Sequence, residues 1–230
     1  MNSLLPIALG AAASDILTGY GSSFATLGGA GLTAMVGRLL RKRLETAQEI
    51  LLDELRRGKR SLAAVEEVDE LAAIVFRYGR AAQEGTAKLN LRLMAKVIAG
   101  QAHLGSLVAD EFLAWADVLA SLRREEVILL ACFLKENDRF LHEADGKVSL
   151  SQLWDRCRGQ VVPTVFSSED RMRVSACAVM RTGLLMNDPT FDGTGFFAVS
   201  PLLKDLVQVA SFQDALREEG IDLGEDCGCP

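Results

Sequence analysis

The sequence predicts a mainly α-helical protein, in which a multi-helix N-terminal domain precedes a winged helix-turn-helix-like domain with a small β-hairpin. Hydrophobic residues make up 49% of the 230-residue chain and aromatic residues only 6%, a balance that favours packed helices over a β-sandwich. Apolar residues recur at steps of three and four along most of the chain, which is helical periodicity. The pattern changes near residues 184–200, where two short apolar runs flank a turn-rich loop and predict the hairpin.

Residues 1–60 are predicted to form a small-residue-rich helical hairpin and a long amphipathic helix. Residues 1–37 contain a single charge, Asp15, and many Gly, Ala, Ser and Thr residues. The second helix begins near Phe24, and its later apolar residues lie on one stripe. Gly58 is the predicted C-terminal stop, because glycine tolerates the left-handed backbone that ends many helices.

Residues 61–122 are predicted to form a second helical domain. Ser61 and Thr86 are candidate N-terminal caps, since their hydroxyl oxygens can accept a hydrogen bond from a backbone N–H of the first helical turn. A break at residues 103–107 separates the helix that follows Thr86 from a short helix that ends near Leu122.

Residues 123–210 are predicted to form the winged-helix-like domain. A helix at 124–136, a short helix and a third helix capped by Ser167 precede the two strands, and Gly183 ends the third helix. Pro201 then begins a further helix, because proline is favoured in the first turn. Three helices followed by a hairpin and another helix match the element order of a winged helix-turn-helix.

Residues 211–230 are predicted to be an acidic tail that ends in Cys-Gly-Cys-Pro. Cys227 and Cys229 are the candidate metal ligands of this tail, but two ligands supply only half of a zinc site. We therefore predict no metal and no cofactor. The other three cysteines lie in apolar helical contexts and are predicted to be reduced thiols in or near the core: Cys132, Cys157 and Cys177.

Residues 29–34, Gly-Ala-Gly-Leu-Thr-Ala, fit the G-x-G-x-x-A fingerprint of dinucleotide-binding proteins. That motif requires a preceding strand and, after its helix, a second strand that ends in an acidic residue. Here the helical pattern continues without a turn to about residue 55. A dinucleotide site is therefore not predicted.

The segment 16–37 has 22 uncharged positions, and about 20 apolar residues suffice to span a bilayer. Small residues at i, i+4 spacing would let another helix pack closely, and the basic residues that follow suit a membrane interface with anionic lipid. The same segment also suits a helix buried within the protein or between subunits. The predicted membrane or self-association site comprises Gly21, Ala25, Gly29, Thr33, Gly37, Arg38, Arg41, Lys42 and Arg43.

Enzyme chemistry is not predicted. The two histidines, His103 and His142, are far apart in sequence, and no G-x-S-x-G or H-E-x-x-H motif occurs. The N-terminus lacks the basic region and cleavage site of a signal peptide. We expect a cytoplasmic protein, either free or associated with the inner face of the membrane, that forms homo-oligomers and binds a protein partner.

A DNA-binding transcriptional regulator is the alternative function. The third helix of the winged-helix-like domain would then present Arg171, Arg173 and Arg181 to DNA. However, the net charge of the chain is −6, and residues 123–210 carry eleven basic and twelve acidic residues. Because phosphate binding needs clustered positive charge, a protein partner is favoured over nucleic acid.

The order of the helical segments resembles the Abi-alpha family of bacterial abortive-infection-type proteins. The resembling segments are QEILLDELRRG, LNLRLMAKVIAG and DEFLAWADVLASLRREEVILLACFL, followed by the winged-helix-like unit. The resemblance implies a bacterial, non-enzymatic protein with a role in the response to phage, and it assigns no functional residue.

Overall fold

The computed structural model describes residues 30–58, 68–104, 107–143, 149–188 and 196–223. Within these ranges the chain forms nine helices and one two-stranded antiparallel sheet, so the prediction of a mainly helical fold is confirmed. The chain divides into two compact units, unit 1 with residues 1–120 and unit 2 with residues 121–230.

Unit 1 is built from four helices: α1 (Ala30–Arg57), α2 (Val68–Glu84), α3 (Lys88–Leu104) and α4 (Ala109–Ser121). Helix α1 packs against both α2 and α3, and α2 also packs against α3. The Tyr78 hydroxyl of α2 is buried and donates a hydrogen bond of 2.9 Å to the Ala47 carbonyl of α1. The largest fully buried apolar side chains of this unit are Leu51, Ile74, Leu93, Met94, Ile98, Phe112 and Leu119.

The turn between α2 and α3 corrects one predicted cap. Gly85 adopts a φ of +93°, a left-handed conformation that favours glycine. The Thr86 N–H donates back to the Ala81 carbonyl and the Gly85 N–H to the Ala82 carbonyl, which is the Schellman pattern of a helix end. Thr86 therefore belongs to the end of α2, and α3 begins at Lys88. The predicted cap at Ser61 lies outside the described residues.

Unit 2 contains α5 (Arg124–Glu143), α6 (Leu150–Val161), α7 (Glu169–Met180), β1 (Leu185–Asp188), β2 (Phe196–Val199), α8 (Pro201–Val209) and α9 (Phe212–Glu218). Helix α5 packs against α6, α7 and α9. The strands pair from Leu185 with Val199 to Asp188 with Phe196. At the centre, the Trp154 ring lies 6.2 Å from the Phe133 ring and 5.3 Å from the Phe197 ring, measured between centroids.

Two helix starts in unit 2 show how closely the caps could be predicted. The cap of α7 is Ser168, whose Oγ accepts from the Arg171 N–H at 3.4 Å, so the assignment to Ser167 was wrong by one residue. The cap of α8 is Ser200, whose Oγ accepts from the Leu203 N–H at 3.0 Å, and Pro201 follows in the first turn as predicted.

The acidic tail was predicted to begin too early in the chain. Residues 212–218 form α9, and the buried side chains of Phe212, Ala215 and Leu216 are part of the core of unit 2. These three residues have the i, i+3, i+4 spacing of a helix face that packs against its neighbours. Residues 224–230, including Cys227 and Cys229, lie outside the described residues.

Candidate functional site

The predicted membrane or self-association site is only partly described. Gly21, Ala25 and Gly29 lie outside the described residues, and Thr33 belongs to α1, although its side chain is not described. Gly37 is also in α1, and apart from the neighbouring backbone of α1 itself no described atom lies within 4 Å of the position that a Cβ would take there. The close helix contact predicted at this glycine is therefore not formed within the described part of the chain.

The N-terminal half of α1 instead presents a surface of mixed character, residues 35–42, which we call the basic-apolar segment. Met35 is 70% exposed and Leu39 is 50% exposed, although both are apolar. Arg38, Arg41 and Lys42 are exposed beside them. At 100° per residue, Met35, Arg38, Leu39 and Lys42 fall within one arc of about 100° on the helix. Apolar and cationic side chains thus share one solvent-facing side of α1.

Arg43 does not share this surface, because its guanidinium reaches the C-terminus of α2. Its Nη1 donates a hydrogen bond of 2.9 Å to the Gln83 carbonyl, where a cation also suits the helix dipole. The guanidinium lies so close to Gly85 that a Cβ at that position would be 3.3 Å from Nη1. The contact stabilises the α2–α3 turn. Because Arg43 is engaged there, Lys42 is the last cation of the basic-apolar segment.

The described part of the chain provides neither a membrane-spanning helix nor a metal-binding cluster. Within the described ranges, no helix has both the length and the apolar character that a membrane crossing requires; the uncharged segment 16–37 lies mostly outside those ranges. Nor do the described His, Cys, Asp and Glu side chains form any group of three or more that could bind a metal ion.

In unit 2, Arg173 is held within the fold. Its guanidinium lies 4.7 Å from the centre of the Trp154 ring and its Nη2 lies 3.4 Å from the Glu169 carboxylate. Glu169 also accepts hydrogen bonds from Trp154 Nε1 at 3.0 Å and from Arg158 Nη1 at 2.9 Å. The hydrogen bond from Arg158, followed by the one from Trp154, lowers the pKa of Glu169.

Arg181, at the C-terminal end of α7, also contacts groups of unit 2. Its Nη1 lies 3.2 Å from Oε1 of Glu126, and its Nη2 donates a hydrogen bond of 2.9 Å to the Ser121 carbonyl. Glu126 is buried and its other oxygen accepts from the Arg123 N–H at 2.8 Å, so it also caps the start of α5. Arg181 therefore neutralises a buried carboxylate.

Arg171 and Arg181 are both exposed among the three predicted DNA-contacting arginines, but only Arg181 is bound to a buried carboxylate. The neighbour of Arg171 on the outer face of α7 is Val174, which is 64% exposed, and Cys177 follows one turn later. Because Cys177 is exposed, its predicted place in or near the core was wrong, whereas Cys132 and Cys157 are buried as predicted. The outer face of α7 thus combines the Arg171 guanidinium, which has no ion-pair partner among the described residues, with the exposed side chains of Val174 and Cys177.

The structure also contains a buried ionic cluster that the sequence analysis did not predict. The Glu54 carboxylate of α1 is 4% exposed and lies 3.1 Å from Nη1 of Arg92 and 2.9 Å from Nζ of Lys96, both on α3. The nearby Tyr78 hydroxyl has a raised pKa, chiefly because of burial, which Arg92 partly offsets. Glu54 occupies a core-facing position of the apolar stripe of α1, three residues after Leu51, and this spacing was the signal available in the sequence.

A second such carboxylate is Glu136 of α5, which is fully buried. It accepts a hydrogen bond from Gln160 of α6, and its Oε2 lies 3.6 Å from Nη1 of Arg156. The Arg156 guanidinium also stacks 4.1 Å from the centre of the Phe140 ring. Glu136 follows Cys132 by four residues on the buried face of α5, so its burial too could have been inferred from periodicity.

No family model, curated protein or solved structure matches this chain.

Replacing Arg181 by Ala is expected to lower the free energy of unfolding by about 1–3 kcal/mol, because the buried Glu126 carboxylate loses its charged partner. The matched change Arg171→Ala on the same helix should alter that free energy by no more than about 0.5 kcal/mol, since its side chain pairs with no buried carboxylate among the described residues. Urea unfolding followed by circular dichroism measures both values. Equal effects of the two substitutions would contradict the structural role of Arg181.

Glu169 is expected to make unit 2 sensitive to acid. Its folded-state pKa lies below the ordinary value of 4.5, so its carboxylate stabilises the fold above that pH and loses this effect as the pH falls through the lower folded pKa. Glu169→Gln should flatten the decline of the urea midpoint below about pH 4.5. Asp170→Asn, an exposed neighbour in the same helical turn, is the control; if it flattens the decline equally, the hydrogen bonds to Glu169 are not the cause.

Proposed function

We propose that this protein is a non-enzymatic helical protein that binds an anionic membrane surface through the basic-apolar segment of α1. The observation that carries the proposal is the exposure of Met35 and Leu39 on the same side of α1 as the exposed cations Arg38 and Lys42, with Arg41 exposed at the edge of that side. An interfacial helix inserts apolar side chains among the lipid headgroups, while long basic side chains reach the phosphates.

Charge favours lipid over a second copy of the chain as the occupant of this surface. In a symmetric contact between two α1 helices through this side, Arg38 and Lys42 of one copy would face those of the other, and like charges repel. Anionic lipid headgroups remove that repulsion and contribute about 1 kcal/mol for each basic residue near the surface. Self-association through the small-residue row remains the competing proposal, which the experiment below separates.

We further propose that unit 2 has a winged-helix-like arrangement and binds a protein partner. Its element order supports this proposal: three helices precede the hairpin of β1 and β2, and α8 follows it. Two of the three arginines needed for DNA binding are engaged inside the unit, Arg173 with Glu169 and Arg181 with Glu126. The exposed Val174 suits contact with another protein better than contact with phosphates.

The biological setting that we propose is a bacterial response to phage. The resemblance of the helical segments to the Abi-alpha family supports it, together with a surface suited to lipid and a second unit suited to a protein. In this proposal the protein acts by binding at a membrane, and it carries out no chemical reaction.

Sedimentation with phosphatidylglycerol-containing vesicles tests the membrane proposal. Arg38→Gln is expected to weaken binding about fivefold, which corresponds to about 1 kcal/mol for one basic residue. Arg56→Gln should leave binding unchanged, because Arg56 is exposed on the same side of α1 but lies five helical turns further along. Binding should also fall with salt and disappear with neutral phosphatidylcholine vesicles.

Two outcomes would contradict the membrane proposal. Equal weakening by Arg38→Gln and Arg56→Gln would mean that exposed basic residues anywhere along α1, and no specific segment, attract lipid. If the full chain does not sediment with vesicles, and Leu39→Asp changes only its size in analytical ultracentrifugation, the exposed surface is a self-association site.

Chromatography on duplex DNA distinguishes a protein partner from DNA as the ligand of unit 2. We expect no retention of the full chain near physiological salt, because the free guanidinium of Arg171 is too small a positive patch. Retention that falls steeply with salt and is reduced by Arg171→Ala would establish the DNA-binding alternative. Val174→Ser serves as the control substitution on the same face, since it removes no charge.

A further inference from the structure

Two buried cysteines meet where α5 packs against α6. Cys132 lies on α5 and Cys157 on α6, and both side chains are fully buried. The Cys132 Sγ lies 3.9 Å from the Cys157 carbonyl oxygen and 3.5 Å from Oε1 of Gln160. Both contacts cross between the two helices, so the thiol of Cys132 is directed at the backbone turn that carries Cys157.

We propose that Cys132 and Cys157 form an oxidisable dithiol, which closes to a disulfide that ties α5 to α6. Both cysteines are free thiols in the structure. A disulfide places its sulfurs about 2 Å apart and its Cβ atoms about 3.5–4.5 Å apart. Since the two helices pack directly against each other and the Cys132 Sγ already lies 3.9 Å from the Cys157 carbonyl oxygen, the bond would close when the two sulfurs approach each other.

The chemistry requires an oxidant of the small-molecule disulfide class, such as oxidised glutathione. One protein thiolate attacks a sulfur of this disulfide, which forms a mixed disulfide and releases one glutathione thiolate. The second protein thiolate then attacks the protein sulfur of the mixed disulfide and releases the other glutathione thiolate. The two protein thiols thereby lose two protons and two electrons, and two molecules of reduced glutathione are produced.

Burial makes this reaction slow and dependent on opening of the helix pair. Burial, followed by interaction with Cys132 and with the Glu136 carboxylate, raises the pKa of Cys157 well above its ordinary value, so little thiolate is present at neutral pH. The oxidant must also reach the sulfurs, which happens when α6 separates locally from α5. The disulfide should therefore form faster at higher pH and under mild destabilisation.

The experiment uses the full-length chain with the substitutions Cys177→Ser, Cys227→Ser and Cys229→Ser, which leave only Cys132 and Cys157. After incubation with oxidised glutathione in native buffer, intact mass spectrometry should show loss of two hydrogens without an added glutathione. Peptide mapping should join the segments that contain Cys132 and Cys157. The oxidised protein should unfold at a higher urea concentration, and dithiothreitol should reverse the change. A chain with the further change Cys132→Ser is the matched control and should form no internal bond.

The outcomes decide the proposal in either direction. The internal disulfide in the native protein, with a raised urea midpoint, supports it. Two free thiols after prolonged incubation, or stable glutathione adducts on the separate cysteines, would overturn it. If the substituted chain fails to fold, mapping of the oxidised wild-type chain gives the same answer, because a native Cys132–Cys157 bond must dominate over pairings with the other three cysteines.

Discussion

Buried carboxylates must be neutralised by a partner, and the packing of both units depends on this requirement. Glu54 is held between α1 and α3 by Arg92 and Lys96, and an ionised group at this depth would be strongly unfavourable without them. Glu126 has the same relation to Arg181, and Glu136 to Gln160 and Arg156. Each of these contacts joins two helices or their ends, so a shift of one helix along its neighbour would separate a buried carboxylate from its partner.

The same requirement decides which basic residues are available for binding. Arg43, Arg173 and Arg181 complete the ends or the surfaces of helices inside their own unit. Arg38, Arg41, Lys42 and Arg171 remain on the outside. A basic residue in a sequence motif is therefore a weak guide to binding until its partners are known. Of the seven cations that the sequence suggested for binding lipid or DNA, these four remain candidates.

Helical periodicity was enough to predict most of the helices, and two short apolar runs around a turn-rich loop were enough to predict the hairpin, because each depends on residues that are close in sequence. The last helix, α9, was missed, since residues 211–230 were predicted to be an acidic tail. The cap at Ser168 was misplaced by one position, since Ser167 and Ser168 are chemically alike and only the geometry of α7 separates them. The buried carboxylates were not predicted, because their cations come from other helices, 38 residues away in the case of Glu54 and Arg92. Such pairings depend on tertiary packing, which periodicity does not encode.

The continuity of α1 has a consequence for how the protein would sit on a bilayer. The helix runs for 28 residues without a break, a length of about 42 Å, and its second half is locked into unit 1 by Leu51, Glu54 and Leu55. A helix without a kink transmits the direction of its axis from one end to the other. Adsorption of the first half would therefore also fix the tilt of unit 1 and the side of it that faces the aqueous phase. Unit 1 would lie on lipid in one defined pose, because α1 continues from the lipid-facing residues into the core of that unit.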